Sequence, residues 1–119
     1  MPDSPLDEQE AFANALAEVQ QEFQQGLTDR LGLMESAFAK LEEGFDTDAA
    51  EKIFHQSHSL KGTAGAFGAD SLVGPAREIS AIARGWVDRT GATESELSHV
   101  RRELGRLREA VTDYQSTGA

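Results

Sequence analysis

The sequence predicts an all-α fold, an up-and-down antiparallel four-helix bundle, and three observations carry that expectation. Apolar residues recur at steps of three and four through most of the chain, the pattern of helices that each bury one stripe. No stretch shows the strict apolar-polar alternation of a half-buried strand. Only three prolines occur, two of them at positions 2 and 5, so nothing between Leu6 and Gly74 must break a helix by removing a backbone donor. Four amphipathic helices joined by short loops pack most simply with successive helices antiparallel.

The first helix is expected over about residues 7 to 43. Phe12, Leu16, Val19, Phe23, Leu27, Leu31, Met34, Phe38 and Leu41 fall on its buried stripe. Gly26 and Gly32 each cost about 1 kcal/mol in a helix relative to alanine, so a break or kink is expected near them. Gly44 is placed to end the helix in a left-handed conformation, and Asp46-Thr47-Asp48 offers capping oxygens and negative charge to the next. That second helix should run from about 47 to 68, with Ala50, Ile53, Ser57, Leu60, Ala64 and Phe67 inward. Asp70 or Ser71 is expected to cap a third helix that buries Leu72, Ala76, Ile79, Ala83 and Trp86 or Val87. Pro75 is tolerated in its first turn. The third helix should stop before Thr90-Gly91. Thr93 followed by Glu96 forms a capping box for a fourth, with Leu97, Val100, Leu104, Leu107 and Val111 buried. Arg101, Arg102, Arg106 and Arg108, interleaved with Glu103 and Glu109, read as a solvated face. Residues 1–6 and 116–119 read as tails around one domain over 7–115, and Met1 with the polar C-terminal end fits a free-standing small protein, although a fragment of a larger kinase would look the same.

Composition narrows the function classes. The 119 residues hold no cysteine, so no disulfide framework, thiolate metal site or cysteine nucleophile is available. The acidic N-terminus has neither the basic start nor the apolar stretch of a secretory signal, and no segment approaches the roughly 20 apolar residues of a membrane span. A soluble, cytoplasmic, monomeric protein without membrane contact is expected. Its net charge of −10 repels nucleic-acid backbones and anionic lipid surfaces.

The chemistry concentrates in His55-Gln56-Ser57-His58-Ser59-Leu60-Lys61-Gly62-Thr63-Ala64-Gly65-Ala66-Phe67-Gly68, which spends three glycines where the flanking pattern demands a helix. At about 100° per residue, His58, Lys61, Gly62 and Gly65 share one face, opposite the Ile53, Leu60, Ala64 and Phe67 stripe. A neutral imidazole on such a face is a competent nucleophile near neutral pH. Lys61 is one turn away, placed to balance the charge of a phosphoryl group, and the glycines remove side chains that would hold a partner off. Positioning and charge compensation are most of what phosphoryl transfer requires. Gly62-Thr63-Ala64-Gly65 lacks the preceding strand and the glycine-lysine-serine/threonine ending of a nucleotide-binding loop. His55 and His58 without a third ligand make a poor metal site.

His58-Ser59-Leu60-Lys61-Gly62 followed by Gly65, Phe67 and Gly68 resembles the signature of histidine-containing phosphotransfer (HPt) domains, the relay modules of two-component signalling. The resemblance covers nearly the whole chain, including an acidic amphipathic first helix. It implies His58 as phosphoacceptor through its outward ring nitrogen, Lys61 as charge partner and Gly62 as clearance residue. Response-regulator receiver domains and a sensor or hybrid histidine kinase would be the partners. No cofactor of its own is implied, the magnesium ion being carried by the receiver. Family members usually carry glutamine or glutamate at the position of Ser80, which is too short to reach the imidazole unaided. Glu78 points away from that position by roughly 160°, whereas Arg77 and Arg84, each about one turn from Ser80, are better placed toward a phosphoryl group. Phe54 and His55, with apolar parts of the first helix, are expected to contribute the docking surface. The alternative reading is a non-phosphorylated adaptor that binds a receiver or kinase, with His58 idle.

Overall fold

The computed structural model describes residues 5–117, with side chains from residue 7 onward. Four helices follow one another: α1 over Pro5–Glu43, α2 over Thr47–Ala66, α3 over Asp70–Arg89 and α4 over Glu94–Thr117. Each helix packs on its neighbours in chain order and α4 closes against α1, giving the antiparallel four-helix bundle. No helix among the described residues is long and apolar enough to cross a membrane.

The loops follow from local chemistry. Asp46 caps α2 from an extended conformation, its Oδ1 accepting the Ala49 N–H at 3.0 Å. The left-handed residue expected at Gly44 lies elsewhere, because the chain leaves α1 directly into the extended backbone of Asp46. Among the described residues, the positive-φ glycine is Gly68, at +72°, which turns the chain from α2 into α3. No side chain caps α3: its N-cap is Ala69, and Asp70 sits in the first turn, where its charge opposes the helix dipole. Thr90 ends α3 in a left-handed conformation, φ 53°, with its N–H donated to the Trp86 carbonyl. The capping box of α4 is complete, with Thr93 N–H donating to Glu96 Oε1 at 3.0 Å and Glu96 N–H donating to Thr93 Oγ1 at 3.1 Å.

The core is continuous through Leu27, Met34, Ile53, Leu60, Leu72, Ile79, Trp86, Val100 and Leu107, all with essentially no exposure. The sequence pattern does not place Ala37, Ala49, Ala69, Ser80, Glu103 or Tyr114 inside, and it reads Glu103 as part of a solvated face. Glu103 is buried, with its carboxylate 2.8 Å from Arg106, and Tyr114 packs edge-on against Phe23. Phe67, expected inward, is half-buried and stacks on Phe23 with ring centroids 4.9 Å apart. The arginines of α4 are exposed as expected, but two reach across to α1, where Arg101 meets Glu42 and Arg108 meets Glu35.

Two expectations about α1 are corrected. The helix passes Gly26 and Gly32 without interruption; Leu27 and Leu31 are fully packed beside them, and that burial exceeds the propensity cost of two glycines. The apolar stripe also does not stay buried along its length. At 39 residues α1 is far longer than the 20, 20 and 24 residues of its partners. Its first half projects past the end of the bundle and sets the 63 Å long dimension. Phe12, Leu16 and Val19 therefore stand 72%, 46% and 48% exposed, with no helix opposite them. The helix begins two residues before the boundary read at 7, and α4 continues past the one read at 115. The rest of the two tails lies outside the described residues.

Serine at Phe12 or Leu16 should leave the urea unfolding free energy within about 0.5 kcal/mol of the parent, whereas Leu27→Ala should lower it by about 2–5 kcal/mol. Equal losses at all three sites would place the projecting turns inside the core. A second expectation concerns acid. The Thr93 backbone N–H holds the Glu96 carboxyl below its ordinary value of 4.5, partial burial opposes this, and hydrogen bonds from Arg89, Thr93 and Trp86 add to it. A carboxyl depressed in the folded state stabilises fully above its unfolded value and loses that contribution as pH falls through its folded value. Glu96→Gln should thus flatten the acid limb of the stability curve below about pH 4.5. Urea titrations from neutrality downward, comparing the two proteins, measure it.

Candidate functional site

The site is built on the outer face of α2. The inward face of that helix is made of Ala49, Ala50, Ile53, Ser57, Leu60 and Ala64, all buried. Ser57 is accommodated by turning its hydroxyl onto its own helix, donating to the Ile53 carbonyl at 2.7 Å. With those positions packed against α1 and α3, the helical period leaves His58, Gly62 and Gly65 exposed and Lys61 half-buried along the opposite edge. The face read from the sequence is the face the fold presents.

Both glycines are open to solvent. A methyl group added at Gly62 or Gly65 would meet nothing within 4 Å. Neither is needed for packing, and each weakens the helix relative to alanine. They leave the surface beside the imidazole low and bare.

The imidazole is held by an aromatic ring. Phe54, one turn earlier, packs against the core while its ring stacks on His58, with centroids 5.5 Å apart and planes at 24°. The same ring touches His55 in a tilted contact at 5.4 Å. Phe54 thus stacks on the histidine from a core-anchored position, a contact that the sequence reading, which places Phe54 on the docking surface, does not include. Its spacing, four residues before the histidine, was the available signal.

Ser80 plays no such part. It is buried, 5% exposed, and its hydroxyl donates to the Arg77 carbonyl one turn back at 3.1 Å. Glu78 lies on the opposite flank of α3, where its carboxylate is 3.5 Å from His99 of α4. The flank carrying Ser80, Arg77 and Arg84 is consequently the one toward α2. Both arginines are exposed.

Among the described residues, carboxylates lie within 4.0 Å of Arg89, Arg101, Arg106 and Arg108, on α4 or at the far end of α3. Lys61, Arg77, Arg84 and Arg30 have none, and neither do Lys40, Lys52 and Arg102, so the unpaired cations are spread over the bundle. Of these, Lys61 shares the helical face of His58. Across the described residues, no group of three or more histidine, aspartate or glutamate side chains converges as a metal site would require.

The family model for the Hpt domain matches residues 9–116. The chain belongs to the Hpt domain family. Searches among curated proteins and among solved structures give no match. Hpt domains are phosphotransfer modules of two-component signalling that interact with kinases and receiver domains. In this Hpt domain the exposed histidine, Lys61 and the open glycines all occur on the outer face of α2.

Because Gly62 and Gly65 serve no packing purpose, Gly62→Ala and Gly65→Ala should each fold normally and raise the unfolding free energy by roughly 0.5–1 kcal/mol. Denaturant titration checks this, and a loss of stability at either position would show that the glycine supports the fold itself.

Proposed function

We propose that this Hpt domain relays a phosphoryl group between aspartates of receiver domains, or from a hybrid histidine kinase, through phosphohistidine at His58. The observation that carries the reading is an exposed imidazole, stacked on Phe54 and flanked by bare glycines, on the face of α2 that also carries Lys61.

In the forward step the lone pair of the outward imidazole nitrogen attacks the phosphorus of an aspartyl-phosphate on the receiver. The new N–P bond forms as the O–P bond breaks, and its electron pair returns to the aspartate carboxylate. The other ring nitrogen keeps its proton. The reverse sequence delivers the group to a second receiver. Lys61 neutralises charge on the phosphoryl oxygens in the transition state and afterwards, with Arg84 and Arg77 as further cations on the α3 flank. Gly62 and Gly65 give the receiver's active site clearance to reach the imidazole. Phe54 braces the ring, and its rim with His55 forms part of the docking surface. Magnesium and the remaining catalytic groups belong to the receiver, so the domain acts as a carrier without turnover of its own and needs no cofactor.

His58→Gln should abolish acid-labile, base-stable label when the protein is mixed with a phosphorylated receiver and magnesium, while its helical circular dichroism stays unchanged. Retained label would move the acceptor to another residue. A receiver that binds the parent and the variant equally and labels neither would identify an adaptor with an idle histidine. Gly62→Ala, stable by the preceding argument, should lose transfer without losing helix.

A further inference from the structure

Arg30 lies on α1, outside every motif of the histidine helix, yet the fold brings its guanidinium beside that helix. One terminal nitrogen reaches Ser59 Oγ, the residue immediately after His58, at 3.4 Å. The other is fully buried and has no hydrogen-bond partner. An arginine with a buried donor left open is costly, because guanidinium keeps its charge at any physiological pH and loses water there. No carboxylate lies within 4.0 Å of it among the described residues. One turn to either side of it α1 carries Gly26, Leu27, Leu33 and Met34, none of which can supply a charge partner. The arrangement fits a cation held in reserve for an anion that arrives from outside.

We infer that Arg30 is a second phosphoryl-contacting residue, which swings from Ser59 to the oxygens of the phosphoryl group on His58. The inference rests on the relay reading and adds a residue from a different helix to it. On the helical wheel of α2, Ser59 lies about 100° from His58 on the flank toward α1, while Lys61 lies about 60° away on the flank toward α3. Gly62 falls between His58 and the α1 flank and presents no side chain to obstruct the movement. The Ser59 contact is long for a hydrogen bond, so releasing it costs little. Phosphohistidine would then be clasped from both sides, by the Lys61 ammonium on one and by the Arg30 guanidinium on the other. Guanidinium is suited to this task because it offers two parallel donors to two phosphoryl oxygens.

Arg30→Met tests this while retaining the apolar stem between α1 and α2, and Arg30→Lys restores charge without the fork. The parent and both variants are labelled from the same phosphorylated receiver, and two quantities are followed: the lifetime of isolated phosphohistidine, and the equilibrium distribution of label between chain and receiver. Arg30→Met should shift that equilibrium toward the receiver by roughly tenfold and shorten the lifetime, with Arg30→Lys intermediate. Affinity for the unphosphorylated receiver should be unchanged in both. Label on Arg30→Met with the parent's lifetime and distribution overturns the role of Arg30 and leaves the relay intact. Failure of the parent itself to take label overturns the relay reading and this inference with it.

Discussion

The site depends on the contact between α2 and α3, the most extensive helix–helix interface of the bundle. More than half of the buried residues of these two helices are small, Ala49, Ala50, Ser57 and Ala64 on α2 and Ala76, Ser80 and Ala83 on α3, beside Ile53, Leu60, Leu72, Ile79 and Trp86. Small side chains let two helices approach closely and leave few rotamers to rearrange, so the register of α2 is fixed by contact of near-backbone surfaces. A histidine helix held in this way can leave its whole outer face free of packing duties. That freedom is what allows Gly62 and Gly65 within two turns of His58 without loss of the helix.

The same interface explains why Ser80 does not orient the histidine. A serine buried between two close helices cannot leave its hydroxyl unsatisfied, and the nearest acceptor is the carbonyl one turn back on its own helix. Ser57 solves the identical problem in the identical way on the facing helix. The pair fits a steric role, with each hydroxyl spent locally. The ring contact of the imidazole is with Phe54, one turn away along α2.

Across the α1–α4 interface arginines and glutamates meet, Arg101 with Glu42 and Arg108 with Glu35. Exposed ion pairs of this kind contribute little to stability individually. Among the described residues Lys61, on the outer face of α2, has no carboxylate within 4.0 Å, so in a chain of net charge −10 its charge is left open beside His58.

The sequence by itself determined the number and order of helices, the capping box at Thr93 and Glu96, the Asp46 cap and the face on which His58, Lys61, Gly62 and Gly65 lie. All of these are consequences of chemistry within one or two turns, where helical period and capping geometry are decisive. Only the tertiary structure decided the rest. The length of α1 relative to its partners left Phe12, Leu16 and Val19 bare, although their spacing matches that of the buried residues beyond them, since burial requires a neighbour and periodicity does not supply one. Packing of Leu27 and Leu31 carried the helix through two glycines that propensity alone would break. Arg30 came to lie beside Ser59, 29 positions away in the chain, because antiparallel packing places two distant helical turns at one level. Contacts of that kind are set by how stripes from different helices meet in space, and no local pattern encodes them.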